Sequence, residues 1–235
     1  MQVKQFTSFS VLYAFVCATV IAANTAGYHS AEYVLKPLMM PILALWYGLN
    51  TPKPFSTLNM LMLGALFFSC CGDIFLMILP GTDGLFIAGL VSFLLAHLFY
   101  ISAYKLQAPR FSAGVIAQNK FLLLPFAAYG LLLVYFLLPG LGGLAAPVAV
   151  YAAIIIAMAL FALNRWGWVN RRSFTAVFVG ALIFIASDSM IALNKFYQPI
   201  YLARVWILST YCLAQWLIVW GMLLHQNNNA TAERG

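Results

Sequence analysis

Charged side chains are the scarcest feature of this sequence. Only 7% of the 235 residues are charged, against roughly a quarter in an ordinary soluble domain. Hydrophobic residues make up 64% of the chain, which leaves no room for a separate soluble domain. We therefore expect a single transmembrane domain over residues 1–225, followed by a disordered cytoplasmic tail over residues 226–235.

The alternation of apolar and polar residues that marks a membrane β-barrel is also missing. The apolar runs are continuous, and a helix needs about 20 such residues to cross roughly 30 Å of hydrocarbon. The sequence thus predicts an all-α fold, a polytopic transmembrane bundle of about eight spans. These are placed at residues 9–26, 33–49, 58–79, 85–104, 121–138, 145–163, 173–193 and 203–224.

Cysteines and histidines are too few and too scattered for several classes of site. The four cysteines fall inside predicted spans, and their spacing suits neither a disulfide framework nor a zinc site. The three histidines, at positions 29, 97 and 225, lie at different levels of the predicted bundle. They do not converge as a three-histidine zinc site would require, so no metal and no cofactor is expected.

The net charge of +7 comes from 12 lysine and arginine residues against five acidic ones, and most of the basic residues lie outside the predicted spans. With the amino terminus inside, nine basic residues fall on the inner side and three on the outer side. The positive-inside rule then predicts that both termini are cytoplasmic, in a plasma or inner membrane. This charge requires no nucleic acid, and the expected partners are membrane lipids. The oligomeric state stays open.

Two of the five acidic residues are predicted to lie inside the membrane. Asp73 and Asp188 each fall 15 residues past the start of a predicted span, about 22 Å along a helix. A carboxylate at membrane depth is costly and by default marks a functional site. We interpret the two carboxyl groups as a catalytic pair. The structural alternative is that each one cross-links helices by hydrogen bonds.

A weak internal repeat supports this pairing. The segment Gly64–Phe68 precedes Asp73, and the similar segment Gly180–Phe184 precedes Asp188. The similarity predicts two halves of four helices each, a 4+4 internal repeat, and such halves often build a site where they meet.

Other polar residues could support such a site. His97 and Tyr100 are three positions apart in the fourth span and share a helix face; the alternative is a histidine hydrogen-bonded within the bundle. Lys36, Asn194 and Lys195 are predicted near the outer surface, where a lysine can bind a lipid phosphate. Ordinary snorkelling of the lysines is the alternative.

Several motifs together resemble the YhhN/lysoplasmalogenase membrane family. They are Lys36-Pro37-Leu38, Gly72-Asp73, Ala96-His97-Leu98-Phe99-Tyr100, Ser187-Asp188 through Ala192-Leu193-Asn194-Lys195-Phe196, and Tyr211 with Gln215. The resemblance covers nearly the whole chain. It implies an eight-span enzyme that hydrolyses the vinyl-ether bond of lysoplasmalogens, giving a fatty aldehyde and glycerophospho-ethanolamine or -choline. The two essential aspartates of the family correspond to Asp73 and Asp188.

The implied reaction begins with a proton delivered to a carbon atom. Burial and a neighbouring carboxylate favour one protonated aspartate, which can act as the acid. The other aspartate can stabilise the oxocarbenium ion and position water, as in glycosidases. We expect His97 and Tyr100 to orient water or a carboxylate, and Asn194 and Lys195 to hold the headgroup.

Other functions remain open at the level of sequence. The main alternative is a proton-coupled transporter, in which the same carboxylates relay protons. An intramembrane aspartyl protease also uses two aspartates, but its motifs fit poorly around Asp73 and Asp188. A zinc-dependent hydrolase of the alkaline ceramidase type lacks its ligands, and a scaffold or receptor would need no turnover.

Overall fold

Helices make up nearly all of the part of the chain that the computed structural model describes, residues 3–78, 83–108 and 110–232. The helices are α1 (Val3–Thr25), α2 (His29–Leu35), α3 (Met39–Asn50), α4 (Thr57–Met77), α5 (Asp83–Gln107), α6 (Val115–Gln118), α7 (Leu123–Leu141), α8 (Ala145–Asn164), α9 (Arg171–Phe196) and α10 (Ala203–Ala232). Short 3₁₀ turns lie at Lys36–Leu38, Phe111–Ala113, Lys120–Leu122 and Gly142–Leu144. The predicted all-α fold is confirmed.

Six segments among the described residues are long and apolar enough to cross a membrane. Five of them coincide with α1, α4, α5, α9 and α10, and the sixth, Lys120–Asn164, contains both α7 and α8. Seven of the eight predicted spans therefore correspond to a long helix. This is the architecture of a multi-pass integral membrane protein.

The second predicted span, residues 33–49, is not one helix. It is broken at the turn Lys36–Leu38, between the end of α2 and the start of α3. Pro37 lies in this turn and has no N–H to donate. α3 has 12 residues and a length of about 18 Å, short of the roughly 30 Å of hydrocarbon. The prediction of an uninterrupted span here is wrong, because hydrophobicity alone does not reveal the break.

The carboxyl-terminal helix is longer than the eighth predicted span. α10 reaches Ala232, so residues 226–232, predicted to begin a disordered tail, are helical; residues 233–235 lie outside the described part. Gln226 accepts a hydrogen bond from the hydroxyl of Thr51 (2.7 Å) and donates one to the hydroxyl of Tyr47 (2.5 Å). These bonds tie the extended end of α10 to α3 and the loop after it.

The contacts divide the chain into two compact units. The first unit comprises Met1–Tyr100 with Met222–Gly235, and the second comprises Ile101–Gly221. In the first unit, α4 packs closely on α5 at two glycines. A Cβ atom on Gly64 would lie 2.7 Å from the ring of Phe99, and one on Gly72 would lie 2.6 Å from the ring of Phe93. Both positions therefore favour glycine.

Close helix packing in the second unit also depends on glycine. A Cβ atom on Gly180 of α9 would lie 3.0 Å from the carbonyl oxygen of Ala214 in α10. One on Gly140 of α7 would lie only 1.9 Å from the carbonyl oxygen of Phe196, the last residue of α9. Gly180 corresponds to Gly64 in the sequence repeat, and each of the two glycines lets its helix approach the next long helix.

Candidate functional site

Asp73 lies in the carboxyl-terminal half of α4, where its side chain is 4% exposed. The preceding residue, Gly72, faces Phe93 of α5. One turn earlier, the thiol of Cys70 donates to the carbonyl oxygen of Pro37 at 3.4 Å. The helical turn that carries Asp73 is therefore bounded by α5 and by the break between α2 and α3.

The break between α2 and α3 brings Lys36 to the same part of the first unit. Lys36 is half-buried, and its turn is held against α4 by the bond from Cys70 to Pro37. The hydroxyl of Tyr33 adds a hydrogen bond to the carbonyl oxygen of Met77, at 3.3 Å. Broken helices at membrane depth expose backbone groups that often bind polar parts of a substrate. Such a break beside a buried carboxyl group has the form of a binding site.

His97 and Tyr100 belong to α5 in the first unit, and both side chains are completely buried. His97 follows Phe93 by one helical turn, and Phe93 is the residue that packs on Gly72. This part of α5 therefore runs beside the part of α4 that carries Asp73.

Asp188 is half-buried in the carboxyl-terminal half of α9. The hydroxyl of Tyr151, in α8, donates a short hydrogen bond to its Oδ2 atom. The neighbouring serines are also bonded. Ser187 donates to the carbonyl oxygen of Ile207 at 3.0 Å, and the hydroxyl of Tyr129 donates to Ser189 at 2.8 Å. These bonds hold Asp188 in a defined position among α7, α8 and α10.

Tyr151 is a residue of this site that the sequence did not identify. Its side chain is only 9% exposed. Between Ala145 and Leu163 it is the only side chain that carries an oxygen or nitrogen atom. That isolation in an apolar helix was the available signal. Sequence alone does not single it out, because tyrosine is common at the membrane interfaces without any role in a site.

The other predicted site residues of the second unit differ in burial. Asn194 and Lys195 are exposed near the end of α9, and Asn194 Oδ1 accepts the backbone N–H of Ile200 at 2.9 Å. Tyr211 and Gln215 of α10 are buried. The ring of Tyr211 packs on the ring of Phe184 in α9 in a T-shaped arrangement, with the ring centroids 5.5 Å apart. Phe184 lies one turn before Asp188.

The predicted site residues thus form two groups, one in each unit. The group in the first unit is Lys36, Asp73, His97 and Tyr100. The group in the second unit is Asp188, Asn194, Lys195, Tyr211 and Gln215. Each group has one aspartate in the carboxyl-terminal half of a long helix. Carboxyl and phenol groups in such positions can give and accept protons.

In the part of the chain that the structure describes, no three histidine, cysteine or acidic side chains are grouped to hold a metal ion. All four cysteines are free thiols. Cys17 and Cys212 are buried, and Cys70 contacts Pro37 as described above.

Comparison with known proteins gives consistent matches over most of the chain. Residues 31–222 match the model of the YhhN family. The chain is 35% identical over 188 residues to human "Lysoplasmalogenase TMEM86A", covering 76% of this chain and 73% of that protein. It is 32% identical over 179 residues to human "Lysoplasmalogenase TMEM86B" (76% and 70%). It is 33% identical over 170 residues to "Lysoplasmalogenase" of Mycobacterium bovis (72% and 63%). No solved structure matches this chain.

Proposed function

Since this chain belongs to the YhhN family, we propose that it is a membrane-embedded hydrolase that cleaves the vinyl-ether bond of lysoplasmalogens. Similarity to proteins named lysoplasmalogenase supports the substrate. The observation that carries the chemistry is an aspartate in each unit, Asp73 and Asp188, within long apolar helices. The products are a fatty aldehyde and a glycerophospho-ethanolamine or -choline.

The reaction is acid-catalysed addition of water. A carboxylic acid gives its proton to the alkene carbon that does not carry the ether oxygen, and an oxocarbenium ion forms at the other carbon. Water adds to that carbon and loses a proton, which gives a hemiacetal. The hemiacetal breaks its bond to the glycerol oxygen, which takes up a proton, and the aldehyde is released. One water molecule is consumed, and the acid is regenerated.

The surroundings of the two aspartates suggest how these roles are divided. Asp188 accepts a hydrogen bond from the hydroxyl of Tyr151, as an ionised carboxylate that stabilises a cation and positions water would do. Asp73 is the more buried of the two, and we place the proton donor at the carboxyl group that is better shielded from water. We therefore assign the acid to Asp73 and the carboxylate to Asp188.

The other polar residues serve substrate binding and orientation. Lys36, beside the helix that carries Asp73, and the exposed Lys195 can bind the phosphate of the headgroup. Asn194 has its amide nitrogen left for the headgroup, because its oxygen accepts the N–H of Ile200. His97 and Tyr100 orient water or a carboxylate, and Tyr211 with Gln215 shapes the wall formed by α10.

The test uses purified protein in detergent with a lysoplasmalogen and, separately, the matching ester lysolipid. Fatty aldehyde and free fatty acid are both measured. Wild type is compared with Asp73→Asn, Asp188→Asn and the control Glu32→Gln. Glu32 is an acidic residue of α2 that accepts a hydrogen bond from the side chain of Asn24 in α1, at 2.7 Å. We expect aldehyde from wild type and Glu32→Gln only, with melting temperatures that show all four proteins folded.

Other results would redirect the proposal. Free fatty acid from the ester would keep a hydrolase but change the bond it cleaves. Full turnover by either aspartate variant would contradict the two-carboxylate scheme. If folded wild-type protein released neither product, the proton-coupled transporter would be favoured. A pH-driven flux measurement in liposomes would then test it.

The proposed setting is a plasma or inner membrane with both termini in the cytoplasm, as the excess of basic loop residues on one side favours. Single cysteines introduced in the loops after α3 and after α9 lie on opposite sides in this arrangement. Labelling of intact cells with an impermeant maleimide should therefore modify only the loop after α9. Labelling of only the loop after α3 would indicate the opposite orientation, with both termini outside the cytoplasm.

A further inference from the structure

Arg165, the residue that follows α8, is completely buried in the second unit. Its Nε atom donates to Oε1 of Gln107 at 2.8 Å, and its Nη2 atom donates to the hydroxyl of Ser173 at 2.9 Å. The guanidinium carbon lies 5.4 Å from the centroid of the Tyr104 ring. All of these partners are uncharged.

The second unit offers no nearby carboxylate to balance this cation. Of the five acidic residues in the chain, only Asp188 falls within Ile101–Gly221. Asp188 is 15 residues from Ser173 along α9, about 22 Å. Burial lowers the pKa of Arg165 to about 10, so the side chain is still positive at neutral pH. A buried charge that is not paired costs several kcal/mol.

Four buried nitrogen atoms in this region have no hydrogen-bond partner among the described residues. They are Nη1 of Arg165, Nε2 of Gln107, Nδ2 of Asn164 and Nδ2 of Asn170. The oxygen of each amide already accepts an N–H, from Arg165, from Ile116 (3.4 Å) and from Ser173 (2.8 Å) respectively. In each of the three amides the oxygen is therefore hydrogen-bonded and the NH₂ group is not. All four unsatisfied groups are donors.

These donors are brought together by three segments of the second unit. Gln107 ends α5, Asn164 ends α8, and Asn170 caps the start of α9. The loop after α5 packs tightly here, because a Cβ atom on Gly114 would lie 2.0 Å from Oδ1 of Asn164. Gly167, with φ of +81°, turns the chain between α8 and α9. The second unit thus places these donors on segments that contact or adjoin Arg165, and its one acidic residue, Asp188, lies toward the other end of α9.

We propose that Arg165, with Gln107, Asn164 and Asn170, binds a phosphate-type oxyanion, either free phosphate or the headgroup phosphate of an anionic lipid. A guanidinium group and amide donors are the groups that recognise tetrahedral oxyanions. The end of α5, the loop after it and the start of α9 carry exposed basic residues that attract such anions; they are Lys105, Arg110, Arg171 and Arg172.

This oxyanion site is separate from Asp188, the proposed catalytic residue of the same unit. In a lysoplasmalogen only the glycerol backbone lies between the phosphate and the vinyl-ether oxygen. The distance of about 22 Å between Ser173 and Asp188 along α9 is much longer than that. One substrate molecule cannot place its phosphate at Arg165 and its vinyl ether at Asp188. The proposal therefore does not depend on the proposed function.

The test measures melting temperature in two settings. Protein in detergent is heated in chloride and in inorganic phosphate at equal ionic strength. Protein in nanodiscs is heated in phosphatidylcholine alone and with added phosphatidylglycerol. Wild type is compared with Arg165→Gln and with Arg172→Gln, a control that removes the same charge from an exposed side chain. We expect the oxyanion to raise the melting temperature of wild type and Arg172→Gln by about 5 °C, and of Arg165→Gln by less than 1 °C.

The two settings distinguish the source of the anion. A shift with inorganic phosphate supports a site for free phosphate, and a shift with phosphatidylglycerol alone supports a lipid headgroup. Equal shifts in wild type and Arg165→Gln, or no shift of wild type in either setting, would overturn the proposal. If Arg165→Gln does not fold, Arg165→Lys replaces it. That variant keeps the charge but loses the planar fork, and we expect at most half of the wild-type shift.

Discussion

Opposite charges lie at the two ends of α9, and they are held there by different means. Toward its carboxyl-terminal end, Asp188 is half-buried and accepts a hydrogen bond from Tyr151. At its amino-terminal end, Ser173 accepts a hydrogen bond from the completely buried Arg165. Tyr151 and Ser173, which hydrogen-bond these two charged groups, are both neutral. Both are stabilised by neutral groups.

The difference lies in the balance of donors and acceptors. Around Asp188, the phenol of Tyr151 supplies a donor to an acceptor oxygen, and the half-buried carboxyl group can still exchange a proton. Around Arg165, four buried donor nitrogens have no hydrogen-bond partner among the described residues, and a guanidinium group does not give up its proton near neutral pH. The first arrangement suits proton transfer, and the second suits holding an anion. Variants at the two ends should therefore affect different measurements.

The largest expected effect is at the carboxyl end. Asp188→Asn keeps the size of the side chain but removes its charge, so turnover of a lysoplasmalogen should fall at least about 1,000-fold. Arg165→Gln should keep most of its turnover per folded molecule, because Arg165 bonds Ser173, which lies about 22 Å along α9 from Asp188. Initial rates of aldehyde release, divided by the folded fraction from size-exclusion chromatography, check both. A similar loss in the two variants would remove the functional distinction between the two ends.

The next effect concerns the phenol that holds the carboxylate. Tyr151→Phe removes one hydrogen bond to a charged group, which is worth about 1.5–3 kcal/mol, so kcat should fall about 10- to 100-fold. Tyr129→Phe is the matched control, because it removes a tyrosine hydroxyl that bonds Ser189 rather than Asp188. Its kcat should change less than about 3-fold. Equal losses in the two variants would mean that Tyr151 acts only by supporting the helices.

The sequence was a good guide to the helices and a poor guide to their partners. Of the eight spans predicted from long apolar runs, seven correspond to a long helix, because crossing a bilayer requires continuous hydrophobicity. The prediction of an uninterrupted second span was wrong, because the helix is broken at Pro37 while the apolar run continues through it. Its place beside Asp73 depends on the contact of Cys70 with Pro37, and no local pattern encodes such a contact.

The same limit explains which site residues were found. Asp73 and Asp188 were recognisable because an acidic residue inside an apolar span is unusual by itself. Tyr151 was not, since its importance comes from a hydrogen bond between α8 and α9. Arg165 was counted as an ordinary inner loop charge, and the sequence gives no sign that the fold buries it completely.

A smaller effect, on stability, is expected where α7 packs against the backbone at the carboxyl end of α9. Gly140→Ala would push a Cβ atom to within 1.9 Å of the carbonyl oxygen of Phe196 at the carboxyl end of α9. Backbone cannot move aside easily, so we expect a loss of about 2–3 kcal/mol in stability. Gly143→Ala is the control, because nothing lies within 4 Å of its added Cβ atom. Melting temperatures check both, and an unchanged value for Gly140→Ala would contradict the tight contact of α7 with α9.

The smallest expected effect is at the exposed lysine near the carboxyl end of α9. Lys195→Gln should raise KM for the lysolipid about 2- to 5-fold and leave kcat unchanged, because an exposed charge contributes at most about 1 kcal/mol to binding a phosphate. Lys36→Gln, at the half-buried turn beside α4, should raise KM more than Lys195→Gln does. Steady-state kinetics with the lysoplasmalogen measure both. If Lys195→Gln lowered kcat without changing KM, the lysine would act in the reaction step, and the carboxyl end of α9 would need a positive charge as well as its carboxylate.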